Sequence, residues 1–354
     1  MTSTTAGRSP RITVTADVTD GALAGLADLG SVQLGGWGAT GELAAPDEFE
    51  RLLRNADILV LGYEPLTEAI LAKTSLRCVV SIRGGPDANI DLAACARRGV
   101  PVTGTVGREA IPVADFTFGL LLDLMRHITQ AATLLRRGQI ASRPGAEGDD
   151  LGWGMGPEDP WNSLKGIELA GKTMGLVGYG AVGRQVAVRA QAFGMRVLAY
   201  DPLVGDGDGN AVLVADLDDL LAAADVISMH ARIGPASVGL LGRRQFSLMK
   251  ASAVVLNTAR AGLIERQALL DALAEHRIAG AALDVHHREP LTADDAFFSL
   301  DNVLLTPHIA GATVEVEARH SAMVLDNVRR FINGQPLVNV VNGVTATREP
   351  GSRR

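Results

Sequence analysis

Short apolar runs alternate with longer stretches of helical spacing along almost the whole chain. In the first third the runs are "RITVTA" (11–16), "DILVLG" (57–62), "RCVVSI" (77–82) and "VPVTG" (100–104), separated by segments rich in Ala and Leu. Alternation of this kind predicts a parallel sheet with helices on both faces. From about Ile111 to Arg137 the chain reads as one long helix. Pro112 suits its first turn. The segment is apolar over much of its circumference, which predicts burial on more than one side and suggests a subunit or domain interface. Residues 138–163 break the pattern with Gly, Pro and acidic residues around Trp153 and Trp161, and read as a loop excursion with the tryptophans as packing anchors.

A second alternating block follows. Its strands are "TMGLVG" (173–178), "RVLAYD" (196–201), "DVISMH" (225–230), "AVVLNT" (253–258), "AGAALDV" (279–285) and "NVLLTPH" (302–308). Six strands with helical connections are what a dinucleotide-binding sheet needs. A last helix is predicted over about 312–333. The "QPLVNVVN" segment behind it has no strand partner nearby and is expected to return to the first block. The fold class is therefore α/β, with two Rossmann-like, doubly wound parallel sheets.

At 354 residues the chain has room for two domains. Its 47% hydrophobic and 21% charged residues are ordinary for a globular protein, and a net charge of −7 gives no reason to expect nucleic-acid binding. No apolar run is long enough for a membrane span, and "MTSTTAGRSP" lacks a signal core, so a cytoplasmic protein is expected. That segment and the tail "TATREPGSRR" read as disordered ends. Cys78 and Cys95 match no metal spacing and read as reduced core thiols.

The chemistry concentrates where strands end. "GLVGYGAVGRQVA" places Gly178, Gly180 and Gly183 between an apolar strand and an Ala-rich helix. Gly178 permits the tight turn, Gly180 keeps the backbone bare for a pyrophosphate, and Gly183 lets the helix pack on the strand. The free N–H groups at the helix start, over Ala181 and Val182, face the phosphates. Asp201 ends the next strand, 18 residues after Gly183, where a carboxylate accepts from the adenosine ribose hydroxyls and repels a 2′-phosphate. NAD is therefore the expected cofactor. Further strand ends carry His230, Thr258 to Arg260, Asp284 and His308. Arg260 can hold a carboxylate bidentately, and His308 can hand a proton to a carbonyl oxygen. Together they read as a site that binds an anionic keto acid and protonates it during hydride transfer.

The segments "LVGYGAVG", "LNTARAGLIE", "ALDVHHREPL" and "TPHIAGAT", in this order, resemble the D-isomer-specific 2-hydroxyacid dehydrogenases. The resemblance extends to "SIRGGPDANIDL" and "VADFTFGLLL", and so covers nearly the whole chain. It implies that Arg260 binds the substrate carboxylate, Glu289 hydrogen-bonds the catalytic histidine, and His308 is the acid/base. It further implies that Asp284 contacts the nicotinamide amide and that Thr258, Ala259, His230 and Gly311 join the cofactor set. The backbone of Gly84 and Gly85, with Arg83 beside it, would hold the substrate. The implied organisation is a discontinuous, flavodoxin-like substrate domain (1–110 plus 311–354) and an NAD-binding domain (111–310), with an inter-domain active-site cleft and a homodimer.

Within "DVHHREP", His286 and His287 stand where this family often has aromatic or acidic residues, and are expected to be bystanders. No metal is expected. His127, His276 and His320 fall on helical patterns and are expected to face solvent. Arg232 and Ile233 depart from the Pro and Leu usual after the third strand-end histidine. A non-enzymatic alternative on the same scaffold is an NAD-sensing corepressor-like protein. A phosphoglycerate dehydrogenase is a second enzymatic option, with Arg83 open to a phosphate, a second substrate carboxylate or a plain salt bridge at the strand end.

Overall fold

A computed structural model of the chain describes residues 8–140 and 159–345. The two ends, and the middle of the 138–163 excursion with Trp153, lie outside the described residues. The chain divides into two compact units, Met1–Glu109 with Thr313–Arg354, and Ala110–Ala312.

The first unit holds five parallel strands: β1 (Arg11–Val14), β2 (Ser31–Leu34), β3 (Ile58–Leu61), β4 (Cys78–Ser81) and β5 (Val102–Thr103), in the order β2-β1-β3-β4-β5. Every residue of β3 and β4 is buried, which explains why these strands read as continuous apolar runs and not as alternations. β2 escapes sequence reading because "SVQL" is short and mostly exposed. The "QPLVNVVN" segment does return to this unit. Val341 N–H donates to Val102 O, and Gly104 N–H to Asn339 O, at 2.9 and 3.1 Å.

The helix Val314–Ile332 packs its Val324 and Val328 on this sheet's core with Ile12, Val14 and Val60. It also buries His320, contrary to the expected solvent exposure. Arg108 donates to its Nδ1 at 3.1 Å, and its Nε2–H donates to Asp17 O at 2.7 Å. Two satisfied ring nitrogens make burial tolerable in a way that helical periodicity cannot show. Burial, reinforced by the charge of Arg108, holds this histidine below its ordinary range despite the Asp17 carbonyl, and so favours the neutral ring.

The second unit holds seven parallel strands: β6 (Thr173–Val177), β7 (Arg196–Tyr200), β8 (Val212–Leu213), β9 (Val226–Met229), β10 (Val254–Asn257), β11 (Gly280–Leu283) and β12 (Val303–Leu305). Their order is β12-β11-β10-β9-β6-β7-β8. Counted within the unit this is 3-2-1-4-5-6-7, the dinucleotide-binding order with β12 added at one edge; β8, its two-residue third strand, is the one that sequence reading missed. The order reverses between β6 and β9, and ligands of such sheets bind at that point, outside the carboxyl ends.

The long helix expected from Ile111 is two helices, Ala110–Arg126 and Ile128–Arg136. His127 between them has φ 56°. The break is built by Asp123, whose carboxylate accepts from Thr129 N–H at 2.7 Å and from Thr129 Oγ1 at 2.5 Å. Only the first helix carries fully buried side chains. Cys78 and Cys95 are buried, and burial pushes their thiols up to about 12 and about 11.

Leu59 sits in the middle of β3 with no solvent exposure. Leu59→Ala removes packing on a strand flanked on both sides, and the expected loss is about 2–5 kcal/mol of unfolding free energy. Urea denaturation measures it, and a loss under about 1 kcal/mol would contradict this account of the core.

Candidate active site

The glycine turn follows β6, and His230 follows β9, so both flank the point where strand order reverses. Gly178 has φ 98°, and a Cβ there would lie 2.4 Å from Ala231 N and 2.5 Å from His230 C. Only glycine fits so close a crossing of two backbones. A Cβ on Gly183 would meet Gly178 O at 2.5 Å, so the helix Ala181–Ala192 rests directly on the turn. Gly180 differs: its Cβ would meet nothing within 4 Å. Bare backbone facing open space at the start of a 12-residue helix fits a pyrophosphate, with N–H groups over Ala181, Val182 and Gly183 as donors.

Asp201 lies beside that turn. Its Oδ2 accepts from Tyr179 N–H at 2.8 Å and its Oδ1 from Leu203 N–H at 2.9 Å. Each oxygen keeps a further lone pair, so the carboxylate can still receive ribose hydroxyls. Tyr179 ties the acidic loop after β7 to the turn: its hydroxyl donates to Asp208 Oδ1 at 2.6 Å, and Arg184 pairs with Asp208 Oδ2 at 2.8 Å. These bonds hold the Asp208 carboxyl well below its ordinary range. His230 Nε2 is bonded to Ser228 Oγ at 2.8 Å, and its buried Nδ1 has no partner among the described residues. Burial pushes this histidine down to about 3, so it stays neutral.

The residues expected to react stand at and beyond the ends of β10, β11 and β12. After β10, the Asn257 amide grips the next turn from both sides. Its Oδ1 accepts from Ala259 N–H at 3.1 Å, and its Nδ2 donates to Arg260 O at 3.0 Å. Thr258 Oγ1 shares a 3.1 Å hydrogen bond with Thr117 Oγ1. Arg260 Nη1 donates to Ala259 O at 2.7 Å, and no carboxylate among the described residues pairs with it. An exposed guanidinium with a fixed backbone and no counter-ion is suited to an anionic ligand.

After β11, Asp284 is buried, and its carboxylate accepts three hydrogen bonds. They come from Thr306 Oγ1 (2.7 Å), Ile309 N–H (2.9 Å) and Ala310 N–H (2.8 Å). They clamp the segment after β12 on both sides of His308, which adopts φ 58°. A non-glycine residue rarely takes that conformation, and surrounding bonds must hold it there. Gly311 directly follows the clamped segment. The His308 ring then donates from Nδ1 to Glu289 Oε2 at 2.8 Å. Glu289 Oε1 accepts from His286 N–H, also at 2.8 Å. Partial burial works to raise the Glu289 carboxyl, but the bonds from His308 and His286 outweigh it and hold it below the ordinary range. Glu289 is therefore a carboxylate throughout the neutral range.

His286 and His287 commit their ring N–H groups to backbone carbonyls, Thr306 O at 2.8 Å and Ile264 O at 3.1 Å. Among the described residues no group of three or more His, Cys, Asp or Glu side chains is placed to hold a metal ion. His286 acts on the site through its backbone N–H. In the first unit, Arg83, Gly84 and Gly85 follow β4. Arg83 O accepts from Thr105 N–H at 3.1 Å, and no acceptor for the N–H of Gly84 or Gly85 occurs among the described residues.

The family model described as "D-isomer specific 2-hydroxyacid dehydrogenase, NAD binding domain" matches residues 118–310. A glyoxylate reductase of Korarchaeum cryptofilum is 34% identical over 306 residues, covering 84% of this chain and 87% of its own. This chain belongs to the D-isomer-specific 2-hydroxyacid dehydrogenase family. A hydroxypyruvate reductase of Thermotoga maritima is 33% identical over 293 residues, covering 82% of the dehydrogenase described here and 89% of its own length. Among solved structures, the TT0316 protein of Thermus thermophilus superposes with a TM-score of 0.75 at 31% identity, over 94% of this dehydrogenase and 99% of that chain. The protein is thus an NAD-dependent oxidoreductase of this family.

Asn257 and the Asp284 clamp are what sequence reading missed. Asn257 is the last residue of β10, one place before the polar run that the sequence made conspicuous. Gly180→Val places a branched side chain where the structure has open space. It is expected to leave the unfolding midpoint close to wild type and to weaken NADH binding by on the order of tenfold or more. Fluorescence titration with NADH checks this, and unaltered affinity would remove the turn from the phosphate site.

Proposed function

We propose that the dehydrogenase interconverts a 2-keto acid and its D-2-hydroxy acid with NAD(H), using His308 as acid/base and Arg260 as the carboxylate anchor. The observation that carries this reading is the 2.8 Å bond from His308 Nδ1 to Glu289. With Nδ1–H committed to a carboxylate, Nε2 is the nitrogen left to give or take a proton. Arg260 holds the substrate carboxylate with its planar fork and draws electron density from the adjacent carbonyl. Within the first unit, the N–H groups of Gly84 and Gly85 have no acceptor among the described residues and are suited to an anionic group. In reduction, His308 Nε2–H protonates the oxygen at C2 as that carbon gains hydride. In oxidation, neutral Nε2 accepts the hydroxyl proton. When bound, NAD(H) would supply the hydride in one direction and accept it in the other.

Asp201 favours NADH over NADPH, because a 2′-phosphate would meet its negative charge. Asp284 acts through the backbone that carries His308. Ile111, Ile128 and Leu135 are each more than 40% exposed on the two successive helices of the second unit, and support a homodimer through that face. Two buried thiols suit the reducing cytoplasm.

The test is NADH oxidation by keto acids across pH. Reduction needs the imidazolium, so its rate falls as pH rises; oxidation needs the neutral ring, so its rate rises over the same window. Glu289→Gln keeps the shape but removes the charge that favours the imidazolium. Keto-acid reduction at neutral pH is expected to slow by roughly tenfold or more. A reduction rate equal to wild type would contradict the pairing.

A further inference from the structure

In the first unit the strand order β2-β1-β3-β4-β5 reverses between β1 and β3. The carboxyl ends there carry an aromatic cluster. Trp37, three residues after β2, and Tyr63, two after β3, meet edge to face with centroids 5.1 Å apart. The Arg83 guanidinium, from the end of β4, lies 5.5 Å from the Tyr63 centroid. Trp37 is 36% and Tyr63 38% exposed. Neither the Tyr63 hydroxyl nor the Trp37 indole N–H has a hydrogen-bond partner among the described residues.

The cluster is held from behind. Asn89 Nδ2 donates to Gly62 O at 3.2 Å and to Glu64 O at 2.9 Å, pinning the backbone on both sides of Tyr63. Glu64 is completely buried. Its Oε1 accepts from Trp37 N–H at 2.8 Å, and a Cβ on Gly36 would lie 2.3 Å from that oxygen. Its Oε2 is buried without a partner, as is Thr15 Oγ1 at the end of β1. Burying a carboxyl group with one unmatched oxygen costs free energy. Here that cost fixes two rings which remain open to solvent.

We propose that Trp37 and Tyr63 form the subsite for the side chain of the substrate, and that this side chain is an aromatic ring on C3 of the 2-keto acid. This rests on the 2-keto acid reading above. Arg83 spans from Tyr63 to the Gly84–Gly85 loop, so a substrate with its carboxylate on that loop places C3 toward the rings. Edge-to-face contact with two fixed rings favours an aromatic group over a hydrogen or a hydroxymethyl. Among the described residues a phosphate would meet one guanidinium there, that of Arg83 over the Tyr63 ring, with the buried Glu64 carboxyl next along the chain. Glu64 and Asn89 are positioning residues.

The experiment compares kcat/KM with NADH for phenylpyruvate, glyoxylate and 3-phosphohydroxypyruvate, in wild type, Trp37→Ala and Trp37→Phe. Phenylpyruvate is expected to lead in wild type. Trp37→Ala should lower the phenylpyruvate-to-glyoxylate ratio by roughly tenfold or more, while Trp37→Phe, which keeps a ring, should retain most of it. A wild-type preference for glyoxylate or the phosphorylated acid, or a ratio unmoved by Trp37→Ala, would overturn the subsite while leaving the dehydrogenase reading standing. Absence of NADH oxidation with every keto acid would overturn both.

Discussion

The candidate site depends on one buried carboxylate. Asp284 stands at the end of β11 with almost no exposure, and it satisfies its charge with one hydroxyl and two backbone N–H groups from the segment after β12. Those bonds lie on either side of His308 and hold it in a left-handed conformation that costs on the order of 1 kcal/mol or more. The strained backbone carries the ring to Glu289. Without the clamp, nothing in the local sequence would keep a histidine in that geometry.

The same device recurs across the second unit. Asn257 grips both sides of the turn that carries Arg260, and Asp201 receives the N–H groups of Tyr179 and Leu203. In each case a polar side chain at a strand end is committed to backbone, and a neighbour is left free to act. The parallel sheet makes this possible. Its strands end on one edge, and buried β10 and β11 fix where each loop departs. Arg260 and Gly180 are the counterpart, one a cation with no counter-ion among the described residues and the other a backbone with nothing above it.

Much of this was legible in the residues. Apolar runs bounded by Gly, Asp and His located ten of the strands, and the glycine spacing located the tight turn after β6, because those signals are local. "DVHHREP" and "TPH" together pointed to Glu289 and His308. Signals that depend on distant partners were not legible. His320 looks solvent-facing by period, and only Arg108 and the Asp17 carbonyl make its burial possible. The break at His127 needs Asp123 to bond Thr129 across a turn. Asp284 is conspicuous in sequence as an acid at a strand end, but its three bonds to the segment around His308 depend on residues beyond the next strand and are not legible there. β2 and β8 are too short and exposed to leave a pattern.

The central claim is that Asp284 works through His308, and a double-mutant cycle on kcat for keto-acid reduction tests it most directly. Asp284→Asn replaces one acceptor oxygen with a donor facing the clamped N–H groups, and His308→Gln removes the proton carrier. If the clamp exists to place His308, each single change slows the reaction strongly and the double variant is little slower than His308→Gln alone. Losses that multiply in the double variant would contradict the account, because Asp284 would then be contributing by a route independent of the histidine.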